Sequence, residues 1–215
     1  MATELPLVIY GSGGFGREVS WLAECASQAV RVVAFIDDHA ADDAAALNGV
    51  PVQTLASCAR MHPGASFVIA VGDSRTRIAL AEKAERAGFV AATLVHHNVE
   101  CSRFVTIQAG SVICAGCILT VNIAIGRHVH VNLDCTVGHD VVMEDFVTLA
   151  PGVHVSGNVR LERGVYLGTG ACVINGTPEA PLVIGAGAVV GAGAVVTRSV
   201  PPDTTVVGVP AKRVS

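Results

Sequence analysis

From Ile107 to Val173 every sixth residue is aliphatic: Ile107, Ile113, Leu119, Ile125, Val131, Val137, Met143, Leu149, Val155, Leu161, Leu167 and Val173. Four places further on stands a second small or apolar residue, among them Cys117, Ile123, Val129, Cys135, Val141, Val147, Val153, Val159, Val165 and Ala171. A helix repeats every 3.6 residues and a strand every 2, so a period of six fits neither alone. It predicts a β-solenoid, in which each coil buries its apolar residues against the coils above and below. Three hexapeptides complete a triangular coil, with two side chains of each pointing inward. The frame breaks once. After Val173 the next inward aliphatic is Ile184, where the period asks for residue 179, and the prolines and glycine between Asn175 and Pro181 predict an external loop. The frame resumes through Ile184, Val190 and Val196 and stops at Pro201-Pro202. A hexapeptide β-helix is therefore expected from about Cys101 to Val200.

The first 95 residues have another texture. Leu7 to Tyr10 reads as a short apolar strand, followed by the turn Gly11-Ser12-Gly13-Gly14-Phe15-Gly16 and a segment, Arg17 to Leu22, with helical spacing. A second strand, Val32 to Ile36, ends in Asp37-Asp38, and a third, Phe67 to Val71, ends in Gly72-Asp73. Ser74 to Gly88 predicts a helix, with Ser74 as N-cap and Gly88 as its stop. Phe89 to Leu94 reads as one more strand before a boundary near His96-His97. Alternating strands and helices predict a small parallel sheet of Rossmann type. The expected organisation is an α/β Rossmann-like half domain over 1–95, then an all-β helix with a C-terminal tail over 96–215.

The glycine turn fits GxGxxG, directly after a strand and opening a helix, with an acidic residue about twenty positions on. Glycines there let backbone amides approach a diphosphate at a helix N-terminus, where the helix dipole favours the anion. The competing reading is a turn that serves only helix–strand packing. Fewer than 100 residues leave no second mononucleotide half, which favours a nucleotide-sugar diphosphate over NAD.

Composition sharpens this picture. Half of the residues are apolar (51%) but aromatics are only 4%, and there are 23 glycines, which suits a narrow core of Val, Ile, Leu and Ala. A formal charge of -4, with no Lys/Arg run, argues against a nucleic-acid or lipid surface. No basic segment followed by a long apolar run opens the chain, so no signal peptide is expected. The apolar run Ala180 to Val196 is glycine-rich and keeps the six-residue period, which makes it coil and no membrane span. A cytoplasmic protein is expected. Seven cysteines, an odd number, read as reduced thiols. Cys114 and Cys117 form a CxxC, but only Cys117 falls on an inward position, so a redox or zinc pair is not expected.

Four of the eight histidines lie in the solenoid: His128, His130, His139 and His154. None occupies an inward position, so all four are expected to face outward. Only His139 is followed by a carboxylate, Asp140. Imidazole is suited to taking a proton near neutral pH, and a neighbouring carboxylate can orient it. No Ser-His-Asp, GxSxG or Walker pattern occurs, and Cys135 is inward. Direct attack by a substrate nucleophile deprotonated by His139 needs no covalent intermediate.

The stretches VIYGSGGFGREV, FIDD, AVGDSRTR, VNLDCTVGHDVVMEDFVTLAPGVHVSGNV and GVPAKRV resemble the hexapeptide-repeat sugar acyltransferases. This family includes bacterial sialic acid O-acetyltransferases and N-acetyltransferases of nucleotide-linked 4-amino-4,6-dideoxy sugars. The resemblance spans essentially the whole chain, and the GHD-to-SGNV stretch is its most specific part. It implies a left-handed β-helix, a homotrimer, and acetyl-CoA as co-substrate in the cleft between adjacent solenoids. It implies further that His139 is the catalytic base, with Asp140 the acid after it, acting on the amino group at sugar C4. Gly157 would lie near the thioester as an oxyanion donor. Thr148, Thr169, Pro210 and Lys212 would also line the cofactor. Gly13, Gly14, Phe15, Asp37, Asp38, Gly72, Asp73 and Arg75 match positions around the nucleotide-sugar pocket. The chain departs from many relatives in carrying Phe15 in place of a histidine, and Gly138 in place of an acid before the catalytic histidine.

A sugar O-acetyltransferase would use the same base. A trimeric β-helix zinc enzyme is a different class, but His128 and His130 stand two apart where such sites space outward histidines by five. A non-enzymatic sugar-nucleotide sensor would tolerate loss of His139.

Overall fold

The computed structural model describes residues 4–40 and 46–214. Two compact units divide the chain, Met1–His97 and Asn98–Ser215. In the first, the strands β1 (Leu5–Tyr10), β2 (Val30–Ile36), β3 (Val52–Gln53), β4 (Ser66–Ile69) and β5 (Val90–Ala91) form a sheet in the order β3-β2-β1-β4-β5. All its pairings are parallel. Leu7, Val8 and Ile9 are completely buried, the unbroken apolar run that a strand covered on both faces needs. Helix α1 (Gly14–Glu24) joins β1 to β2, α2 (Leu55–Met61) joins β3 to β4, and α3 (Ser74–Arg86) joins β4 to β5. The strand order reverses between β1 and β4, and ligands of open α/β sheets bind at the carboxyl ends beside such a reversal. Both the glycine turn after β1 and the segment after β4 lie there.

Two details differ from expectation. β3 and α2 have no counterpart among the elements read from the sequence, because so short a strand and helix carry too little of either period. The cap of α3 is Asp73 and not Ser74: its carboxylate accepts from the Thr76 N–H at 2.7 Å, and Ser74 is already helical.

The second unit is a left-handed parallel β-helix with three faces. One stacks Glu100–Cys101, Ile118–Leu119, Thr136–Val137, His154–Val155, Cys172–Val173 and Val195–Val196. The next runs from Val105–Ile107 through Ile123–Ile125, Val142–Met143 and Val159–Leu161 to Leu182–Ile184. The third runs from Val112–Ile113 to Thr205–Val207, where Lys212–Arg213 pairs antiparallel. Residues one coil apart are paired, as Val131 with Leu149 and Leu149 with Leu167. Leu161 pairs with Ile184, so the extra residues of the expected loop bulge out without disturbing the stack. From Ile113 to Val173 every inward aliphatic is buried, and up to Leu167 so is its partner four places on. Among the described residues no helix is long and apolar enough to cross a membrane.

Corners obey a second period of six. Gly110, Gly116, Asn122, His128, Asp134, Asp140, Phe146, Gly152, Asn158, Gly164 and Gly170 all have positive φ. Each turns the chain from one face to the next in the left-handed conformation that Gly, Asn and Asp tolerate best. His128 and Phe146 are the costly members, and they stack on one another with centroids 5.2 Å apart.

The expectation that all four solenoid histidines face outward is corrected here. His128 is completely buried, folded over its corner between Gly110 and Phe146; a Cβ on Gly110 would fall 2.2 Å from its Nδ1. His130 is also buried, in the same column as Val112 and Thr148. A position that points away from the solenoid core is therefore not always exposed. Cys114 shows the same, since it is off the inward frame yet only 6% exposed.

Candidate functional site

In the first unit the glycine turn is built on close approaches. A Cβ on Gly11 would lie 2.8 Å from the Ala70 carbonyl oxygen, and one on Gly16 would lie 2.2 Å from the Gly11 oxygen. These two glycines pack β1 against β4 and α1 against β1. Gly13, the N-cap of α1, has open space around its Cβ position and is free to approach a ligand. Gly14 starts the helix, and Phe15 is half-buried in its first turn. Asp37 lies beside this turn, where its Oδ2 accepts from Ser12 Oγ at 2.5 Å and its Oδ1 from the His39 N–H at 2.9 Å. The Ser12 bond, then that of His39, holds the carboxyl below its ordinary range. Burial alone would raise the Asp38 carboxyl, but bonds from Lys83 Nζ at 2.5 Å and Tyr10 Oη at 2.8 Å keep it low. Burial, reinforced by Asp38, pushes the Tyr10 phenol up. Gly72, Asp73 and Arg75 follow β4 and are exposed. The expected nucleotide-pocket residues thus gather at the carboxyl ends of β1, β2 and β4.

Arg77 was not among them, yet it is the largest fully buried side chain of the protein's described residues. Its Nη1 donates to the carbonyls of Val71 at 2.9 Å and Gly72 at 3.0 Å, fixing the loop that carries Asp73. Burial lowers this guanidinium to about 10, against the opposing pull of Asp73. It therefore stays charged at neutral pH. Arg77→Met keeps the bulk but strands two carbonyls, so a loss of about 1–3 kcal/mol is expected from chemical denaturation at an unchanged m-value.

In the second unit the His139–Asp140 pair sits at one corner. Thr136–Val137 leads into Gly138, His139 and Asp140, which turn the chain toward Val142–Met143. The His139 and Asp140 side chains are 57% and 47% exposed, and His139 Nδ1 lies 2.8 Å from Asp140 Oδ2. An ionised carboxylate only accepts, so Nδ1 carries the proton, and in a neutral imidazole the lone pair is then on Nε2. Bonds from His139 and then Asn122 hold the Asp140 carboxyl below its ordinary range, which keeps it ionised. Nε2 lies over the next coil: a Cβ on Gly157 would be 2.4 Å from it. The His139 carbonyl accepts from the Asn158 N–H at 3.0 Å, which locks the two coils in register. Gly138 has its own explanation. A Cβ there would fall 2.8 Å from the Gly157 nitrogen, so this backbone leaves no room for a side chain.

His139, Asp140 and Gly157 are thus brought together. Thr148 is on the third face and only 3% exposed, while Thr169 is exposed at a different corner. Pro210 and Lys212 are exposed in the tail. None of these four reaches the His139 corner within one chain. Of the solenoid histidines only His154 is exposed besides His139, and its Nδ1 lies 2.8 Å from Thr136 Oγ1. Among the described residues one Cys/His group could hold a metal ion, Cys25, His96 and His97, and it is in the first unit. Ser12, Tyr10, Lys83, Arg77 and Asn122 escaped the sequence analysis. Only Asn122 had a usable signal, since it stands one coil before Asp140.

Residues 6–84 match the model of the PglD N-terminal domain family. The chain is 35% identical over 214 residues to the GDP-perosamine N-acetyltransferase of Escherichia coli O157:H7, covering 96% of this chain and 95% of that protein. WeeI from Acinetobacter baumannii AYE superposes with a TM-score of 0.90 at 39% identity, covering 99% of this chain and 100% of that one. A variant of perosamine N-acetyltransferase from Caulobacter crescentus, in complex with CoA and GDP-perosamine, gives 0.87 at 30% identity, over 100% and 98% of the two chains.

Proposed function

The chain belongs to the hexapeptide-repeat, acetyl-CoA-dependent sugar N-acetyltransferases, and on that premise we propose that it acetylates the C4 amino group of GDP-perosamine. The observation that carries the mechanism is the His139–Asp140 pair poised over Gly157. His139 Nε2 takes a proton from the sugar amine as the nitrogen attacks the thioester carbonyl carbon. A C–N bond forms, the C–S bond breaks, and CoA leaves as a thiolate that takes up a proton. Acetyl-CoA supplies the activated acyl group. The Gly157 N–H is the proposed donor to its oxygen as negative charge develops there. Asp140 holds the imidazole in the productive tautomer.

The nucleotide is assigned to the first unit, with Gly13, Gly14, Phe15, Asp37, Asp38, Gly72, Asp73 and Arg75 around it. With a base more than half exposed in one chain, the working form is read as a homotrimer in which a neighbouring solenoid walls the site. Gly157, Thr169, Pro210 and Lys212 are read as lining acetyl-CoA; Thr148 is too buried to join them. None of the seven cysteines, all among the described residues, is in a disulfide, in keeping with a reducing cytoplasm.

The test is acetyl-CoA consumption with GDP-perosamine beside other nucleotide-linked 4-amino sugars and sugars bearing only hydroxyls. The expected result is a kcat/KM for GDP-perosamine at least about tenfold above the others. Turnover confined to hydroxyl acceptors would replace the amine by an alcohol as nucleophile.

A further inference from the structure

Asp140 has little in its surroundings to hold it still. Its side chain is 47% exposed, and it stands on a corner with φ of 57°. An exposed carboxylate samples several rotamers, and most would carry away the bond that fixes the imidazole. Its other oxygen is engaged, however. Asn122 Nδ2 donates to Asp140 Oδ1 at 3.1 Å while Oδ2 meets His139 Nδ1 at 2.8 Å. Asn122 reaches it by occupying the same corner one coil earlier. The Asp140 N–H donates to the Val121 carbonyl at 3.1 Å, and in the strands that follow Ala124 pairs with Val142.

We propose that Asn122 is a positioning residue for acetyl transfer, gripping Asp140 so that His139 presents Nε2 over Gly157. This rests on the reading of His139 as the base. The amide adds no charge and no titrating group, so its contribution is geometric: two fixed bonds leave the carboxylate one orientation. An aspartate at 122 would instead set a second carboxylate against the first.

Asn122 has another reason to be an asparagine, since its φ of 55° favours Asn, Asp or Gly whatever the chemistry. Corner and grip are separable, because glycine supplies the first without the second. For Asn122→Gly in the full chain, kcat is expected to fall on the order of tenfold, the equivalent of one hydrogen bond to a charged group. KM for both substrates should hold within about twofold, a split that a merely structural defect would not give. In an Asp140→Ala background the same change should cost nothing more, since both residues act through one contact. Asn122→Asp keeps the corner preference and should lose at least as much activity, which preserves the test if the glycine variant folds poorly. Wild-type kcat in both variants, or an equal loss with and without Asp140, overturns the proposal. His139→Asn is measured alongside. Full activity there overturns the base itself, whereas collapse there with Asn122→Gly intact overturns only the grip.

Discussion

Replacing His139 by asparagine is expected to lower kcat for acetyl transfer to GDP-perosamine by about 10²–10⁴-fold, the range for a lost general base. Asparagine retains a donor and acceptor of similar reach but takes no proton. The fold should be indifferent: the side chain is 57% exposed, and exposed substitutions stay within about 0.5 kcal/mol. KM for acetyl-CoA should change little, because the imidazole acts on the transferred proton and contributes little to holding the ground state. The measurement is initial rate against both substrates, with a thermal melt on the same preparation. Full activity would remove His139 and leave His154, the other exposed solenoid histidine, as the base to examine.

Gly157→Ala should cost nearly as much by a different route. Its Cβ would fall 2.4 Å from His139 Nε2 and 2.5 Å from Cε1, both at the free end of an exposed side chain. The imidazole can swing aside, so the protein folds, but the base leaves its place. A displacement of about 1 Å at a reacting centre can cost on the order of 10²-fold. Gly138→Ala is the contrasting control. Its Cβ would meet the nitrogen and neighbouring carbon of the next coil's backbone, at 2.8 and 2.9 Å. Backbone in a stacked coil cannot swing away, so that variant should melt lower. Crossed behaviour, with Gly157→Ala unstable and Gly138→Ala stable but inactive, would mean that His139 does not lie over Gly157.

The solenoid was legible because its inward aliphatics keep one period over the whole span, and a helix or simple strand cannot imitate that. The corner positions were just as legible and went unread: Gly110, Gly116, Asn122, Asp134, Asp140 and Asn158 stand six or a multiple of six apart. Taken together the two periods would have put Asn122 under Asp140. His128 and His130 show the limit of the inward–outward rule, since burial outside the core depends on what covers a face and leaves no mark on local periodicity. In the first unit the glycine turn and the two aspartates were visible, whereas the turn–Asp37 neighbourhood came only with the pairing of β1 and β2. Arg77 was not, because a buried cation is recognised by the carbonyls around it, and these belong to the loop it holds. Thr148 is buried for the same reason as His130, with which it is paired.

The one-coil spacing of strand partners also governs how the protein is made. In the solenoid most paired residues are a single coil apart, so little loop-closure entropy is spent before each contact forms. Coils can therefore be added in order as the chain leaves the ribosome, each on the template of the last. Asn122 is in place before Asp140 arrives, and Asp140 before Gly157 closes over the corner. In that order the proposed catalytic corner would assemble in the middle of synthesis, flanked by finished coils on one side and awaiting them on the other.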